Sequence, residues 1–214
     1  MRKHIVCFGD SNTFGFNPET SGRYDEDHRW TCLLQKKLGN SYLVLEEGLN
    51  GRSTVFDDPL FEGLSGINYI HPCLMSHKPI DLLIIMLGTN DTKERFGVTP
   101  TCIGTGLKRL ILKAQTTTEF WANGNPNILV ISPKNIGDKY YEKEISTTMG
   151  NGCYEKSLML AKVFEQIAAL TNCHFMDANQ YITANPCDVD VVHLTAEGHR
   201  QLADALSQLI PTLI

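Results

Sequence analysis

The 214-residue sequence predicts an α/β fold, a three-layer α/β/α sandwich on a parallel sheet of about five strands. Two patterns carry the prediction. Short β-branched and leucine-rich runs are continuous rather than alternating, as in strands covered on both faces. Segments with apolar residues at helical spacing separate those runs, and such alternation implies parallel strands joined by crossover helices. A third observation bounds the size: 42% hydrophobic and 20% charged residues over this length suit one globular unit.

In chain order, His4-Ile5-Val6-Cys7-Phe8 reads as the first strand, and Trp30, Leu33, Leu34 and Leu38 as the apolar stripe of a helix. Tyr42-Leu43-Val44-Leu45 is the second strand, and a helix is expected before the third, Asp81 to Leu87. Ile103, Leu107, Leu110, Ile111 and Ala114 mark the next helix and Asn127 to Ile131 the fourth strand. The polar stretch 133–153, with Pro133, Gly137, Gly150 and Gly152, reads as a long loop, a feature often tied to function. Leu158, Ala161, Phe164, Ile167 and Ala168 form another stripe, His174-Phe175-Met176 a weaker last strand, and Leu202 to Ile210 the final helix, with Thr195 as its N-cap. No repeat, low-complexity tract or linker divides the chain, so residues 1–214 are expected to form a single domain.

Charge and cysteine usage exclude several function classes. A formal net charge of −5 offers no basic face for a phosphate backbone or an anionic membrane, so neither nucleic acid nor membrane is expected as a partner. Met1 to His4 lead into too few apolar residues for a signal peptide, and no run approaches a membrane span, which predicts a cytoplasmic location. Seven scattered cysteines without a Cys-x-x-Cys pair read as reduced thiols rather than disulfides or a zinc site.

Ligands of open α/β sheets gather beyond the carboxyl ends of the strands. Ser11 follows the first strand, Gly48-Leu49-Asn50-Gly51 the second, Gly88-Thr89-Asn90-Asp91 the third, and Asp188 to His193 lies after the last. A serine hydroxyl becomes a nucleophile when a base takes its proton and a carboxylate orients that base. Ser11, His193 and Asp190 supply these types, and the Asp-x-x-His spacing lets one loop deliver base and orienter together. Asp188 competes for the carboxylate role. Backbone N–H groups of Ser11 and Gly51 and the side-chain amide of Asn90 could receive an oxyanion. Each residue alone also has an ordinary structural reading, as a cap, a turn or a satisfied core group.

In order and spacing, Gly9-Asp10-Ser11-Asn12, Gly51, Gly88-Thr89-Asn90-Asp91 and Asp190-Val191-Val192-His193 resemble the four blocks of the SGNH (GDSL-type) hydrolases across nearly the whole chain. The resemblance implies a flavodoxin-like sheet, Ser11 as nucleophile, His193 as base, Asp190 as its orienter, and Gly51 and Asn90 as oxyanion donors with Ser11. Residues 46–59, EEGLNGRSTVFDDP, together with GDSNTFGF, look like the small arylesterase, acyltransferase (perhydrolase) and acetyl-xylan esterase branch. That likeness implies short acyl esters as small-molecule substrates, no cofactor or metal, and assembly into homo-oligomers. Asn12 replaces the leucine usual after the nucleophile. Asp10, Phe16 and Val192, next to Ser11 and His193 in sequence, are the candidate substrate-contacting residues, the two apolar ones favouring a small acyl group.

The expected function is therefore serine carboxylic-ester hydrolysis of acetyl-type esters. Acyl transfer through the same acyl-enzyme is the first alternative. A flavin-binding protein of flavodoxin type is the second, with Ser11 to Gly15 as a phosphate-cradling turn. His199 reads as structural, Arg52 with Asp57 and Asp58 as a surface or subunit-contact ion pair, and Tyr140-Tyr141 as either lining or packing a loop.

Overall fold

The computed structural model describes residues 2–214. Five parallel strands form the main sheet: β1 (Lys3–Gly9), β2 (Tyr42–Gly48), β3 (Leu82–Met86), β4 (Ile128–Ser132) and β5 (His174–Asp177). Their spatial order is β2-β1-β3-β4-β5. Five helices of eight residues or more accompany them: α1 (Trp30–Leu38), α2 (Gly66–His77), α3 (Pro100–Gln115), α4 (Cys153–Leu170) and α5 (Ala196–Leu209). The continuous apolar runs are explained by what each side of the sheet buries. Val6, Phe8, Leu83, Ile85 and Val130 face α2, α3 and α4 through Ile70, Leu74, Leu107, Leu110, Leu160 and Phe164. Their neighbours Ile5, Cys7, Leu82, Ile84, Leu129 and Ile131 face α1 and α5 through Trp30, Leu34, Leu202 and Leu206. A strand that alternates between two apolar layers has no polar side to show in its sequence.

Local signals set the helix ends. Thr99 caps α3 by accepting from Cys102 N, with Pro100 in the first turn, where a missing N–H costs nothing. Thr195 caps α5 by accepting from Gly198 N, as its sequence position predicts. Two departures stand out. Residues 133–153 are not one loop: they contain a 3-10 turn (Tyr140–Glu142) and a short helix (Ile145–Met149) around a separate apolar cluster of Ile136, Tyr140, Met149, Cys153, Val191 and Val192. A two-residue antiparallel pairing, Phe16–Asn17 with Gly22–Arg23, follows the first strand and was not signalled by alternation. Among the described residues no helix is long and apolar enough to cross a membrane.

Register aligns the carboxyl ends that matter. Gly9 of β1 pairs with Gly48 of β2 and with Met86 of β3. Gly48 must lack a side chain, because a Cβ there would stand 2.1 Å from the Phe14 backbone nitrogen. The turn carrying Ser11 thereby folds back over the end of β2.

Candidate active site

Ser11 opens a single helical turn (Ser11–Phe14) directly after β1. Asp10 caps that turn, its Oδ1 accepting from Asn12 N at 3.0 Å, and Gly15 closes it in the left-handed conformation (φ 83°). The Ser11 side chain is thus presented at the sheet edge by a turn whose both ends are fixed. His193 arrives from the other end of the chain, 182 residues away, and its Nε2 lies 2.8 Å from Ser11 Oγ. Its Nδ1 lies 2.5 Å from Asp190 Oδ2. The other Asp190 oxygen accepts from the backbone N–H groups of Val192 (2.9 Å) and His193 (3.0 Å), so one carboxylate both folds the loop and holds the imidazole. Ser11 and His193 are each 8% exposed, enough for one face of the pair to meet a ligand. Asp188 is exposed on the same loop and takes no part in these contacts.

The loop reaches this shape through a strained residue. Val191 has φ 55°, a left-handed conformation that costs a β-branched residue about 1–3 kcal/mol. Three hydrogen bonds hold it: Val191 N donates to Cys187 O (2.7 Å), Gly137 N to Val191 O (2.8 Å), and Cys187 N to His193 O (2.8 Å). A fourth contact ties the loop to the nucleophile turn itself, since Leu194 N donates to Asn12 Oδ1 at 2.9 Å. Trp30 Nε1 donates to Asn12 O at 3.1 Å from the opposite side.

Opposite the imidazole, Gly51 takes φ 83°, a conformation glycine adopts without penalty. The N–H groups of Ser11 and Gly51 take no part in the backbone hydrogen bonding of the described residues outside helices and strands. Ser11, Phe16, Asn50, Gly51, Asn90 and His193 line one cavity of about 140 Å³. The Phe16 ring lies 4.7 Å from the His193 ring and forms one wall. A larger cavity of about 550 Å³, bounded by Asn17, Arg23, Tyr24, His28 and Glu197 among others, includes none of Ser11, His193 or Asp190.

Two buried groups position the wall around Gly51. Asp91 accepts from Thr54 N at 2.9 Å and from the Thr54 hydroxyl, tying the segment after Gly51 to the turn that carries Asn90. Arg52 is not a surface ion pair with Asp57 and Asp58: its side chain is buried, stacks on the Phe8 ring at 4.2 Å, and donates to Gly9 O (3.0 Å) and Glu47 O. Asp58 instead accepts from Arg95 (2.7 and 2.9 Å) and Lys93 (3.2 Å). Burial opposes its ionisation, but Arg95 and Lys93 together bring the Asp58 carboxyl down to about 2.

Electrostatically the site is divided. Burial would raise the Asp190 carboxyl, yet the hydrogen bond to His193 and two backbone N–H groups leave it below the usual range, so it stays anionic beside the imidazole. Asp10 and Asp91 go the other way, each pushed up to about 6 chiefly by complete burial. His199 is fully buried and pushed down to about 3 by that burial, a neutral core imidazole as its sequence position suggests.

Two expectations about the cavity lining need correction, and the open choice at Tyr140 is decided. Asp10 is 1% exposed and its carboxylate caps the Ser11 turn, so it does not line the cavity. Val192 packs with Ile136 and Tyr140, because the turn through Val191 carries its side chain into that cluster. Tyr140 is wholly buried there and donates to Gly150 O (2.8 Å), which makes it a packing residue, while Tyr141 is exposed. The sequence marks Asn12 only as a departure after Ser11, Arg52 as an ion pair, and Asn50 and Asp91 as members of the strand-end clusters; their positioning contacts and the place of Asn50 in the cavity wall emerge only from the fold.

With this geometry in place, comparison with known proteins gives a consistent picture. The model of the GDSL-like lipase/acylhydrolase family matches residues 7–201. No curated protein matches the chain. Among solved structures, the native aryl esterase of M. smegmatis is 36% identical with a TM-score of 0.90, covering 99% of this chain and 100% of that one. A carbohydrate acetylesterase from Sinorhizobium meliloti is 35% identical with a TM-score of 0.87 and full coverage of both chains (100% and 100%). A lipolytic protein of the G-D-S-L family from Veillonella parvula, at 19% identity and a TM-score of 0.68 over 99% of this chain and 100% of that one, shares the fold.

Proposed function

Because the chain belongs to the GDSL-like lipase/acylhydrolase family and is a carboxylic ester hydrolase, we propose that it cleaves short-chain acyl esters through a Ser11–His193–Asp190 triad and an oxyanion hole of Ser11 N, Gly51 N and Asn90 Nδ2. The observation that carries the reading is the continuous path from Ser11 Oγ to His193 Nε2 (2.8 Å) and from His193 Nδ1 to Asp190 Oδ2 (2.5 Å). The acceptor-only carboxylate assigns the tautomer: Nδ1 carries the proton and donates to Asp190, leaving Nε2 to accept from the serine hydroxyl.

In the first half-reaction, Ser11 Oγ attacks the ester carbonyl as His193 takes its proton. The imidazolium that forms is stabilised by the ionised Asp190, and negative charge on the carbonyl oxygen is met by the three donors. Collapse returns the proton from His193 to the leaving alcohol and leaves an acyl-Ser11. Water then repeats the sequence through the same base and frees the acid.

Cavity size supports a short acyl group. At about 140 Å³ the cavity falls below the ~300 Å³ at which ordinary ligand pockets begin. An acetyl or propionyl group fits such a volume, and the half-buried Phe16 limits extension past the imidazole. Of the relatives, one is described as an aryl esterase and one as a carbohydrate acetylesterase, and the second description names an acetyl group. The direct test is covalent labelling by a fluorophosphonate together with turnover of an aryl acetate. Labelling of the native chain and loss of both signals by several powers of ten in Ser11→Ala is expected; a labelled, fully active Ser11→Ala ends the proposal.

A further inference from the structure

Outside the ester site, at the free edge of the sheet, three side chains of metal-ligating type converge. Cys73 and His77 stand four residues apart on α2, a spacing that stacks them on one helix face. Glu47, next to last in the edge strand β2, reaches that face. One ligand atom from each lies within 4.8 Å of the others, and His77 Nε2 is 2.6 Å from Glu47 Oε1. Cys73 is buried, whereas Glu47 and His77 reach solvent, so the cluster has a closed sulfur side and an open nitrogen and oxygen side.

We propose that Glu47, Cys73 and His77 form a binding site for one divalent transition-metal ion of the zinc type. A thiolate, an imidazole and a carboxylate are the ligand set of borderline-soft cations. Zinc-type bond lengths place the ligand atoms of a tetrahedral centre about 3.3–3.6 Å apart, so the His77–Glu47 contact opens and the widest separation closes. Both partially exposed side chains can make that adjustment by rotation, with solvent at the fourth position. Arg52 stacks within 5.4 Å of Tyr69, one turn before Cys73, and donates to Glu47 O, so a fixed cation adjoins the cluster. The donor set disfavours magnesium or calcium, which would find a single carboxylate here and no other oxygen ligands. A zinc-type ion gains a thiolate as well, and the two anionic ligands balance its charge. Burial, with the charge of Glu47 adding, pushes the free Cys73 thiol up to about 12, so the metal enters as the S–H bond breaks, the sulfur–metal bond forms and the proton passes to buffer.

Cobalt(II) added to the chelator-treated full chain tests the site without reference to ester turnover. The expected result is a thiolate-to-cobalt charge-transfer band that saturates at one ion per chain and is erased by added zinc. Cys73→Ser removes the band with the six other cysteines in place. Since Cys73 is a core residue, His77→Ala on the accessible rim is the second variant, with cobalt affinity expected to fall by at least about tenfold while circular dichroism stays native. Absence of the band in the native chain, its persistence in Cys73→Ser, or native cobalt affinity in a folded His77→Ala overturns the proposal and leaves a plain His77–Glu47 ion pair beside a core thiol. None of these outcomes bears on the Ser11 reading.

Discussion

Leu194 N donates to Asn12 Oδ1 at 2.9 Å, a buried bond between the residue after the proposed nucleophile and the residue after the proposed base. Two segments 182 positions apart are thereby joined by a side chain that is not among those lining the cavity. Asn12→Leu, which restores the residue usual in the wider family, leaves the Leu194 N–H buried without a partner. The expected cost is about 1–3 kcal/mol of stability. Slackening the His193 loop by a fraction of an ångström is expected to lower kcat by up to about 10²-fold with KM little changed. Steady-state kinetics and thermal denaturation of the one variant check both. Unaltered kcat would make Asn12 a folding contact alone.

Asp190→Asn separates orientation from charge. Val192 N and His193 N hold the oxygen that faces the loop, so the new amide nitrogen turns toward His193 Nδ1 and donates to it. That reverses the tautomer, puts the proton on Nε2 and removes the acceptor for the Ser11 hydroxyl. Turnover is expected to fall about 10⁴-fold with fluorophosphonate labelling slowed in parallel and the melting temperature nearly kept. A drop of less than tenfold would take Asp190 out of the role.

The parts legible in the sequence and those that were not differ in how far apart their partners lie. β1, β3 and β4 were readable because each is an unbroken apolar run, and Ser11, Gly51 and Asn90 followed from the rule that polar clusters gather at carboxyl strand ends. Asp190 and His193 were readable together because they share one loop, three residues apart. Arg52 was not, since its acceptor Gly9 O is 43 residues away and its ring contacts exist only once β1 and α2 are packed. Val192 misled because sequence proximity to His193 says nothing of side-chain direction across a left-handed Val191. Asp10 misled for a related reason: an acidic residue beside the nucleophile looks available to substrate, but capping the Ser11 turn consumes it.

On the proposed reading, Phe16 is the residue that limits acyl length. Its ring stands 4.7 Å from that of His193 and bounds a cavity of about 140 Å³. Over a series of aryl esters from acetyl to hexanoyl, the native chain is expected to lose turnover steeply beyond propionyl. Phe16→Ala opens that wall, and the hexanoyl-to-acetyl ratio of kcat/KM is expected to rise by tenfold or more, the scale of a few methylenes in an apolar pocket. The ratio is the informative quantity, because acetyl turnover itself falls when the imidazole loses its packing. An unchanged ratio would place the acyl group elsewhere.

Asp10 carries a pH signature that a caps-only role would lack. Burial pushes its carboxyl from 3.8 up to about 6, and its Oδ2 has no hydrogen-bond partner. A carboxyl raised on folding stabilises the native state fully below its unfolded value and loses that contribution as pH climbs through the folded value, here between about 4 and 6. The shift corresponds to at most about 3 kcal/mol. Asp10→Asn keeps the oxygen that accepts from Asn12 N and removes the ionisation. Its stability relative to the native chain is therefore expected to rise between pH 4 and pH 7, and to level off above that range. Asp91, also raised to about 6 and partly by the charge of Asp10, titrates in the same window, so the native slope shrinks without vanishing in the variant. Denaturant unfolding of both chains across the interval measures the difference, and a gap independent of pH would mean that Asp10 is ionised throughout.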